Sequence, residues 1–189
     1  CRNLDTINPP QVSSAQFQPN SIGETPVSYA DLDIDMIRSR LESRIVGGRI
    51  YYHPVLKSTM DEAHKLAECK GAEGSVVVAE QQTAGRGRFD RRWISQPGCN
   101  IEMSVLLCPG LGQLRYVNMA ATLAVADTIA EITDLHPVIK WPNDVMIGGR
   151  KVSGILIETT FNGTCPSYTV VGIGIDVNFD PTEVPELAN

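Results

Sequence analysis

A glycine- and arginine-rich segment between a β-branched run and a tryptophan constrains this chain more than any other feature. The segment reads Gln81-Gln82-Thr83-Ala84-Gly85-Arg86-Gly87-Arg88-Phe89-Asp90-Arg91-Arg92-Trp93. Its glycines let the backbone turn and approach a ligand closely, and its arginines supply planar donors with a permanent charge. Because the whole chain carries a net charge of -6, a basic cluster at this point favours an anion-binding loop over a solvated basic turn.

Length and composition indicate one globular domain. The 189 residues, 42% of them apolar, are enough for one sizeable core. Residues 1–28 are polar and proline-rich, which is typical of a tail or linker, so the domain is expected over residues 29–189. A pI near 5.0 argues against a protein that coats nucleic acid, and no DNA partner is expected. With neither a signal peptide nor an apolar run of roughly 18 residues, a cytoplasmic protein without a membrane partner is expected.

The cysteines and histidines indicate neither a disulfide framework nor a metal site. The five cysteines are odd in number and form no Cys-x-x-Cys pair, which is typical of reduced thiols. The three histidines have no ligand spacing to one another or to a cysteine, so no protein-held metal is expected.

Hydrophobic periodicity predicts a mixture of strands and helices. Residues 31–41 fit a short helix or a strand, and the helix, with Met36, Ile37 and Leu41 inward, is preferred. Further helices are predicted from Ser58-Thr59 onward and over residues 113–132, and strands over residues 49–52, 75–80, 101–107, 138–147, 151–159 and 168–175. Since hairpins join most of these strands, the expected fold class is α+β, or mixed α/β, rather than a doubly wound parallel sheet.

Three motifs together resemble the biotin protein ligase family. They are Gly85-Arg86-Gly87-Arg88 with Trp93, Lys140-Trp141-Pro142-Asn143-Asp144, and Arg150-Lys151-Val152-Ser153-Gly154-Ile155-Leu156-Ile157-Glu158. They occur in the order and at the distances of that family, from about Tyr51 to Asn178. The resemblance implies the catalytic domain shared with lipoate ligases and related to class II aminoacyl-tRNA synthetases, a mixed sheet with flanking helices.

The resemblance also implies a reaction and its partners. That family activates biotin with ATP and Mg²⁺ to biotinyl-5′-AMP, then transfers the biotin to a lysine of the biotin carboxyl carrier domain of a carboxylase. Biotin, ATP and the carrier domain are therefore the implied partners. Because family members pair through a sheet edge, a homodimer also stays open.

Site residues follow from the matched positions. Biotin is expected at Ser58, Thr59, Gln82, Gly85, Arg86, Arg88, Lys151 and Gly154. The nucleotide is expected at Arg86, Arg88, Trp93, Asn143, Lys151 and Asn178. Lys151 and Arg88 would offset the repulsion between a carboxylate and a phosphate, and Asp144 would take a proton from the acceptor amine. Taken without the family, Ser58 and Thr59 are helix caps, Trp93 is a core residue and Asn143-Asp144 is a turn.

The chain departs from the family pattern at two positions and at its end. Met60 stands where the family commonly has Asn or Gln, and Asp176 stands where it often has Asn. Family catalytic domains continue with further helices and a small β-barrel, which are expected to be absent here. A truncated, non-catalytic protein that binds biotin or biotinyl-adenylate is therefore one alternative, and a lipoate or octanoyl transferase of the same fold is another.

Overall fold

One seven-stranded sheet with three α-helices forms the described part of the chain, residues 32–69 and 71–179 of a computed structural model. The helices are α1 (Ile34–Arg40), α2 (Thr59–Glu68) and α3 (Leu114–Ile132). The strands are β1 (Ile50–Leu56), β2 (Val76–Gln82), β3 (Asn100–Leu107), β4 (Val138–Lys140), β5 (Asp144–Ile147), β6 (Arg150–Asn162) and β7 (Cys165–Asp176). The tail predicted over residues 1–28 lies outside the described residues.

The sheet is mixed, as the sequence predicts. Its strand order is β1-β2-β3-β7-β6-β5-β4. In this sheet β1 and β2 run parallel, with α2 between them in the chain, and every other neighbouring pair is antiparallel. The prediction of an α+β or mixed α/β fold is therefore confirmed, because a doubly wound sheet would need mostly parallel pairs.

The two faces of the sheet are covered by different helices. On one face α3 contributes Val125 and Ile129 to a core with β-strand residues such as Ile155 and Ile173. On the other face α2 packs Met60 and Ala63 against a second cluster, which also contains Val77, Leu106 and Val170. Since side chains alternate along a strand, β2 and β7 each supply residues to both cores.

Three details of the predicted elements differ from the structure. The strand predicted over residues 138–147 is wrong, because a turn containing a cis Trp141–Pro142 peptide divides it into β4 and β5, which pair with each other. The strand predicted over 49–52 continues through Pro54, which an edge strand tolerates. The helix predicted at 31–41 is confirmed as α1, but Met36 and Leu41 are exposed, and Ile37 packs against the core.

Helix α1 begins at a clear capping signal. Asp33 has an extended backbone, and its carboxylate accepts the Met36 N–H at 2.9 Å. This cap decides between the helix and the strand that the periodicity allowed.

Among the described residues, no helix combines the length and apolar character that crossing a bilayer requires.

Candidate active site

A cavity of about 50 Å³ opens on the α2 face of the sheet. Five parts of the chain line it: the start of α2, the end of β2, the arginine-rich loop, the turn between β4 and β5, and the central strands β3, β6 and β7. The sequence-predicted residues in its lining are Ser58, Thr59, Gln82, Arg86, Arg88, Trp93, Asn143, Lys151 and Gly154. Residues that lie up to 96 positions apart in the chain therefore meet at one place.

Glycine residues of β6 and β7 form the floor of this cavity. Gly154 of β6 pairs with Gly174 of β7, and Gly174 pairs in turn with Glu102 of β3. A Cβ at Gly174 would lie 2.8 Å from the indole nitrogen of Trp93, and one at Gly172 would lie 2.7 Å from the Met60 sulfur. The missing side chains thus let Trp93 and Met60 lie directly on the sheet backbone.

Met60 has a clear structural place in this arrangement. Its side chain is buried and packs over Gly172 inside the α2 core cluster. A flexible thioether fills such an irregular gap well. The residue that departs from the family pattern therefore contributes apolar surface, not a polar contact, to the cavity wall.

A chain of hydrogen bonds joins α2, β2 and β3 beneath the cavity. The Thr59 backbone N–H and hydroxyl both donate to Gln82 Oε1, at 2.8 and 3.1 Å, and Ser104 Oγ lies 2.8 Å from Thr59 Oγ1. The Gln82 amide donates to Glu102 Oε2, and the Trp93 indole donates to Glu102 Oε1 at 2.9 Å. These partners replace the water that the buried polar groups lose.

Thr59 and Ser58 are therefore not helix-capping side chains. Ser58 occupies the N-cap position of α2 but makes no capping hydrogen bond through its side chain. The Thr59 hydroxyl is committed to Gln82 and Ser104. The interpretation of this pair as caps is wrong at the level of side chains, and both residues face the cavity instead.

Glu102 is a buried acid that the sequence analysis did not select. Only 1% of its surface is exposed, and burial raises its pKa from 4.5 to about 7 against the lowering effect of hydrogen bonds from Trp93, Ser95 and Gln82. Between these two pH values the folded protein holds a proton that the unfolded chain has released. This carboxyl therefore makes the free energy of unfolding fall as pH rises through that interval.

The arginine-rich loop is a short hairpin held by its own backbone. The Gly87 N–H donates to Arg91 O at 2.7 Å, and the Trp93 N–H donates to Gly85 O at 3.0 Å. A Cβ at Gly85 would lie 2.6 Å from the Trp93 carbonyl oxygen, so glycine is required there for close approach. The left-handed turn itself is made by Phe89 and Asp90, both at φ 57°, and not by a glycine.

Each cation of the cavity has an acceptor within the protein. Arg86 donates to Asp61 and lies 3.3 Å from Glu158, which also contacts His64 Nε2 at 2.8 Å. In the same way, Arg88 Nη1 donates to Asn143 Oδ1 at 2.6 Å. Lys151 Nζ lies 2.7 Å from Asp144 Oδ1. A substrate anion that binds these cations must therefore compete with the protein's own oxygen atoms.

The carboxylates around Arg86 are expected to hold the loop against the body of the domain. We expect the double substitution Asp61→Asn with Glu158→Gln to increase the rate of tryptic cleavage within residues 86–92 about 2- to 5-fold, because exposed ion pairs each contribute up to about 1 kcal/mol. Mass spectrometry of timed digests measures this rate.

Glu62→Gln is the matched control for this experiment. It removes the same kind of charge from α2, but Glu62 pairs with Lys65 at 3.0 Å on the helix surface and does not contact the loop. Equal cleavage rates for the control and the double variant would show that the loop is held by its backbone alone.

Three predicted residues lie beside the cavity and not in its lining. Asp144 contacts two residues of the lining, Lys151 and Asn143, and Gly85 lies behind Trp93. Asn178 is exposed, and its amide lies 3.5 Å from Gly98 O. Glu102 and Ser104 were not predicted from the sequence. A lone acid in the apolar run Ile101-Glu102-Met103 is nevertheless a usable signal, since a buried charge needs partners.

A second, broader cavity of about 780 Å³ shares Trp93 and Lys151 with the first. Its other lining residues are Arg92, Ile94, Arg150, Val152, Asp176, Val177 and Phe179. Lys151 Nζ lies 5.7 Å from the Trp93 ring centre, so a cation and an aromatic ring together separate the two cavities. In the wall of the second cavity, burial raises the pKa of Asp176 to about 6, although Asn100 donates to it at 2.6 Å.

No protein-held metal site is found in the part of the chain that the structure describes. Within residues 32–69 and 71–179, no three His, Cys, Asp or Glu side chains come together in a way that could hold a metal ion. Cys69, Cys108 and Cys165 are exposed free thiols in this same part.

Comparison with known proteins identifies one family, in a family model and in a curated relative. The Biotin/lipoate A/B protein ligase family matches residues 52–176. The chain is 41% identical over 152 residues to the bifunctional ligase/repressor BirA of Bacillus subtilis (strain 168), which covers 79% of this chain and 47% of that protein. The chain thus spans about half the length of this relative.

Solved structures give the same result. The biotin protein ligase from Leishmania major in complex with biotinyl-5-AMP superposes with a TM-score of 0.62 at 27% identity, over 70% of this chain and 58% of that one. The biotin protein ligase from Aquifex aeolicus in complex with biotin and ATP superposes with a TM-score of 0.58 at 35% identity, over 72% and 56% of the two chains.

Proposed function

The chain belongs to the biotin/lipoate A/B protein ligase family, and from this premise we propose that it is a biotin protein ligase. Its first reaction activates biotin with ATP to biotinyl-5′-AMP. Its second transfers the biotin to a lysine of the biotin carboxyl carrier domain of a carboxylase. The relatives named above support this choice, since each solved one was determined with biotinyl-5-AMP or with biotin and ATP.

The observation that carries the proposal is the placement of Lys151 and Trp93 between two cavities. The small cavity offers fixed donors and acceptors next to apolar surface, which suits a neutral ureido ring on an apolar body. The broader cavity carries Arg92 and Arg150, which suit the phosphates of a nucleotide. A group at the partition, such as the Lys151 ammonium, would contact both substrates.

The activation step needs positive charge at this partition. A biotin carboxylate oxygen attacks the α-phosphorus of ATP, and pyrophosphate leaves, so two anionic groups must approach each other. Lys151 would supply a point charge between them, and Arg86 and Arg88 would supply directional N–H donors. The carboxylate of Asp144, 2.7 Å from Lys151 Nζ, holds the ammonium in place.

The transfer step needs an unprotonated amine. The acceptor lysine attacks the acyl carbon of the adenylate, and AMP leaves. Its ordinary pKa of about 10.4 leaves little free amine at neutral pH, and we propose that Asp144 accepts the proton. In this proposal Asp144 exchanges its ion pair with Lys151 for the incoming amine, so the same carboxylate serves both steps in turn.

The remaining partners and the location follow from the same proposal. Mg²⁺ would enter as the ATP complex, because it binds mainly through substrate phosphates and a few carboxylates. The exposed thiols of Cys69, Cys108 and Cys165 suit the cytoplasm, where thiols stay reduced. The sheet edges at β1 and β4 would allow pairing with the carrier domain or with a second copy.

The test of the function follows the two steps separately. The protein is incubated with biotin, MgATP and a biotin carboxyl carrier domain, and mass spectrometry follows the adenylate and the acceptor. Both products are expected. Adenylate without acceptor modification would restrict the activity to activation, biotin binding with neither product would favour a non-catalytic binding protein, and binding of lipoate but not biotin would refute the proposal.

A further inference from the structure

Glu102 is a buried carboxyl that neither step of the proposed reaction uses. It lies on β3, in line with Gly174 and Gly154 across the cavity floor, and 1% of its surface is exposed. Its two oxygens accept from different walls of the cavity, one from Gln82 at the end of β2 and one from Trp93 at the end of the arginine-rich loop.

The hydrogen bonds around Gln82 have a single consistent direction. The Thr59 backbone N–H can only donate, so Gln82 must point its oxygen toward Thr59, at 2.8 Å. The amide nitrogen of Gln82 therefore points toward Glu102. The Thr59 hydroxyl donates its hydrogen to the same Gln82 oxygen. The Ser104 hydroxyl must therefore be the donor in its hydrogen bond with Thr59 Oγ1.

Besides the Ser95 hydroxyl, two N–H donors reach position 102, and only a carboxylate satisfies both of them. The amide nitrogen of Gln82 and the indole nitrogen of Trp93 each bring a hydrogen atom. Above about pH 7, where Glu102 is ionised, its side chain has two acceptor oxygens and no hydrogen, so the experiment below is carried out at about pH 8. A glutamine there would have one oxygen and would turn an N–H₂ group toward another donor. The negative charge thus decides which way the Gln82 amide faces.

The Trp93 ring also needs this anchor. The ring lies over Gly154 and Gly174. Contact with the glycine backbone fixes how far the indole lies from the sheet, but it does not fix the rotation of the indole within its own plane. The 2.9 Å bond from its nitrogen to Glu102 selects one rotation. That rotation sets which part of the ring lies under the Lys151 ammonium at the partition between the cavities.

We propose that Glu102 is a positioning residue for ligand recognition, which fixes the Gln82 amide and the Trp93 indole in the orientations that the biotin ureido ring and the adenylate meet. The identity of the ligand rests on the proposed function, whereas the directions of the hydrogen bonds follow from the structure. It assigns Glu102 no contact with the reacting atoms. Burial at this position also raises the pKa of Glu102.

The experiment exchanges the two side chains. Glu102→Gln alone sets two donors against each other, and Gln82→Glu alone sets two carboxylates against each other. Together, the two substitutions restore the donors and acceptors that link Thr59, position 82, position 102 and Trp93. The carboxylate then at position 82 would accept from Thr59 and from the amide then at position 102, and the oxygen of that amide would accept from Trp93. We expect each single variant to raise the biotin Kd and KM by about tenfold or more with a smaller change in kcat, and the double variant to return within about threefold of the original.

A second measurement does not depend on biotin. The unfolding equilibrium constants of the original protein, the two single variants and the double variant, measured in urea, form a double-mutant cycle. The unfolding constant of the double variant is expected to be about tenfold smaller than the value obtained by multiplying the effects of the two single substitutions. Should biotin fail to bind the original protein, the proposed function fails while this cycle still tests the network. Glu80→Gln is the matched control, since Glu80 lies on β2 but bonds to Tyr52 and Leu32 outside the cavity.

Every outcome of the cycle is decisive. If a single variant does not fold and the double variant does, the coupling is supported directly. Unchanged biotin affinity in Glu102→Gln, effects of the two substitutions that simply multiply, or a double variant that fails to fold with the singles would each overturn the proposal.

Discussion

Replacing Lys151 by glutamine is expected to lower the rate of adenylate formation about 10²- to 10³-fold. Lys151 Nζ stands at the boundary of the two cavities, 2.7 Å from Asp144 and 5.7 Å from the Trp93 ring centre. A preorganised cation at the place where charge develops has an effect of this size on the chemical step. Single-turnover formation of biotinyl-5′-AMP measures it, because this assay separates activation from acceptor transfer.

Lys140→Gln is the control for this prediction. Lys140 is an exposed lysine at the end of β4, outside the lining of both cavities, so the same change in net charge should leave activation nearly unaltered. A Lys151→Gln variant that loses less than about fivefold would contradict the assignment of Lys151 to the activation step. Equal losses in both variants would indicate an effect of overall charge instead.

Adding one methyl group at Gly174 is expected to destabilise the protein by about 1–3 kcal/mol, because overpacking against a rigid ring forces the backbone or the ring to move. The new Cβ would lie 2.8 Å from the Trp93 indole nitrogen, and the bond from that nitrogen to Glu102 prevents easy rotation. Gly174→Ala is also expected to weaken biotin binding, since Trp93 lines the cavity. Urea denaturation and isothermal titration with biotin measure the two effects.

Two further alanine substitutions separate the effect of crowding from the general effect of replacing a glycine. Gly112→Ala adds a methyl group with no atom within 4 Å and should leave stability almost unchanged. A Cβ at Gly154 would lie 3.0 Å from the Lys151 ammonium and 3.2 Å from Trp93 Cζ3, so Gly154→Ala meets a movable lysine and a looser ring contact than Gly174→Ala does, and a smaller loss of stability is expected. If all three alanine variants unfold at the same urea concentration, the close packing of Trp93 on the sheet is wrong.

Much of the architecture could be predicted from local patterns. The continuous apolar run of β2, the β-branched run of β7 and the long periodic run of α3 led to elements close to the observed ones, because such patterns are properties of neighbouring residues. The interpretation of Asn143-Asp144 as a turn was right, but one strand was still predicted across it because apolar residues continue on both sides. Pro142, which cannot donate a backbone hydrogen bond, was the local signal for that break.

The candidate site divides in the same way. Arg86, Arg88 and Lys151 belong to recognisable motifs, so their types and order could be read directly. Their partners could not: Asp61 and Glu158 meet Arg86 from α2 and β6, and nothing in their sequence neighbourhoods links them. Glu102 was missed for a related reason, since its donors lie 20 and 9 positions away and converge only when β2, β3 and the loop pack together.

The amino-acid sequence by itself therefore determined the family, the mixed sheet and the set of cations, because these depend on short-range periodicity and on motifs whose members are close in the chain. Only the tertiary structure decided how those cations are neutralised and which way the polar groups of the cavity point. Strand register places Asp144, Gly154, Gly174 and Glu102 in one row across the sheet. Hydrogen-bond direction and burial at that row are properties of contacts between distant segments, and these exist only in the folded chain.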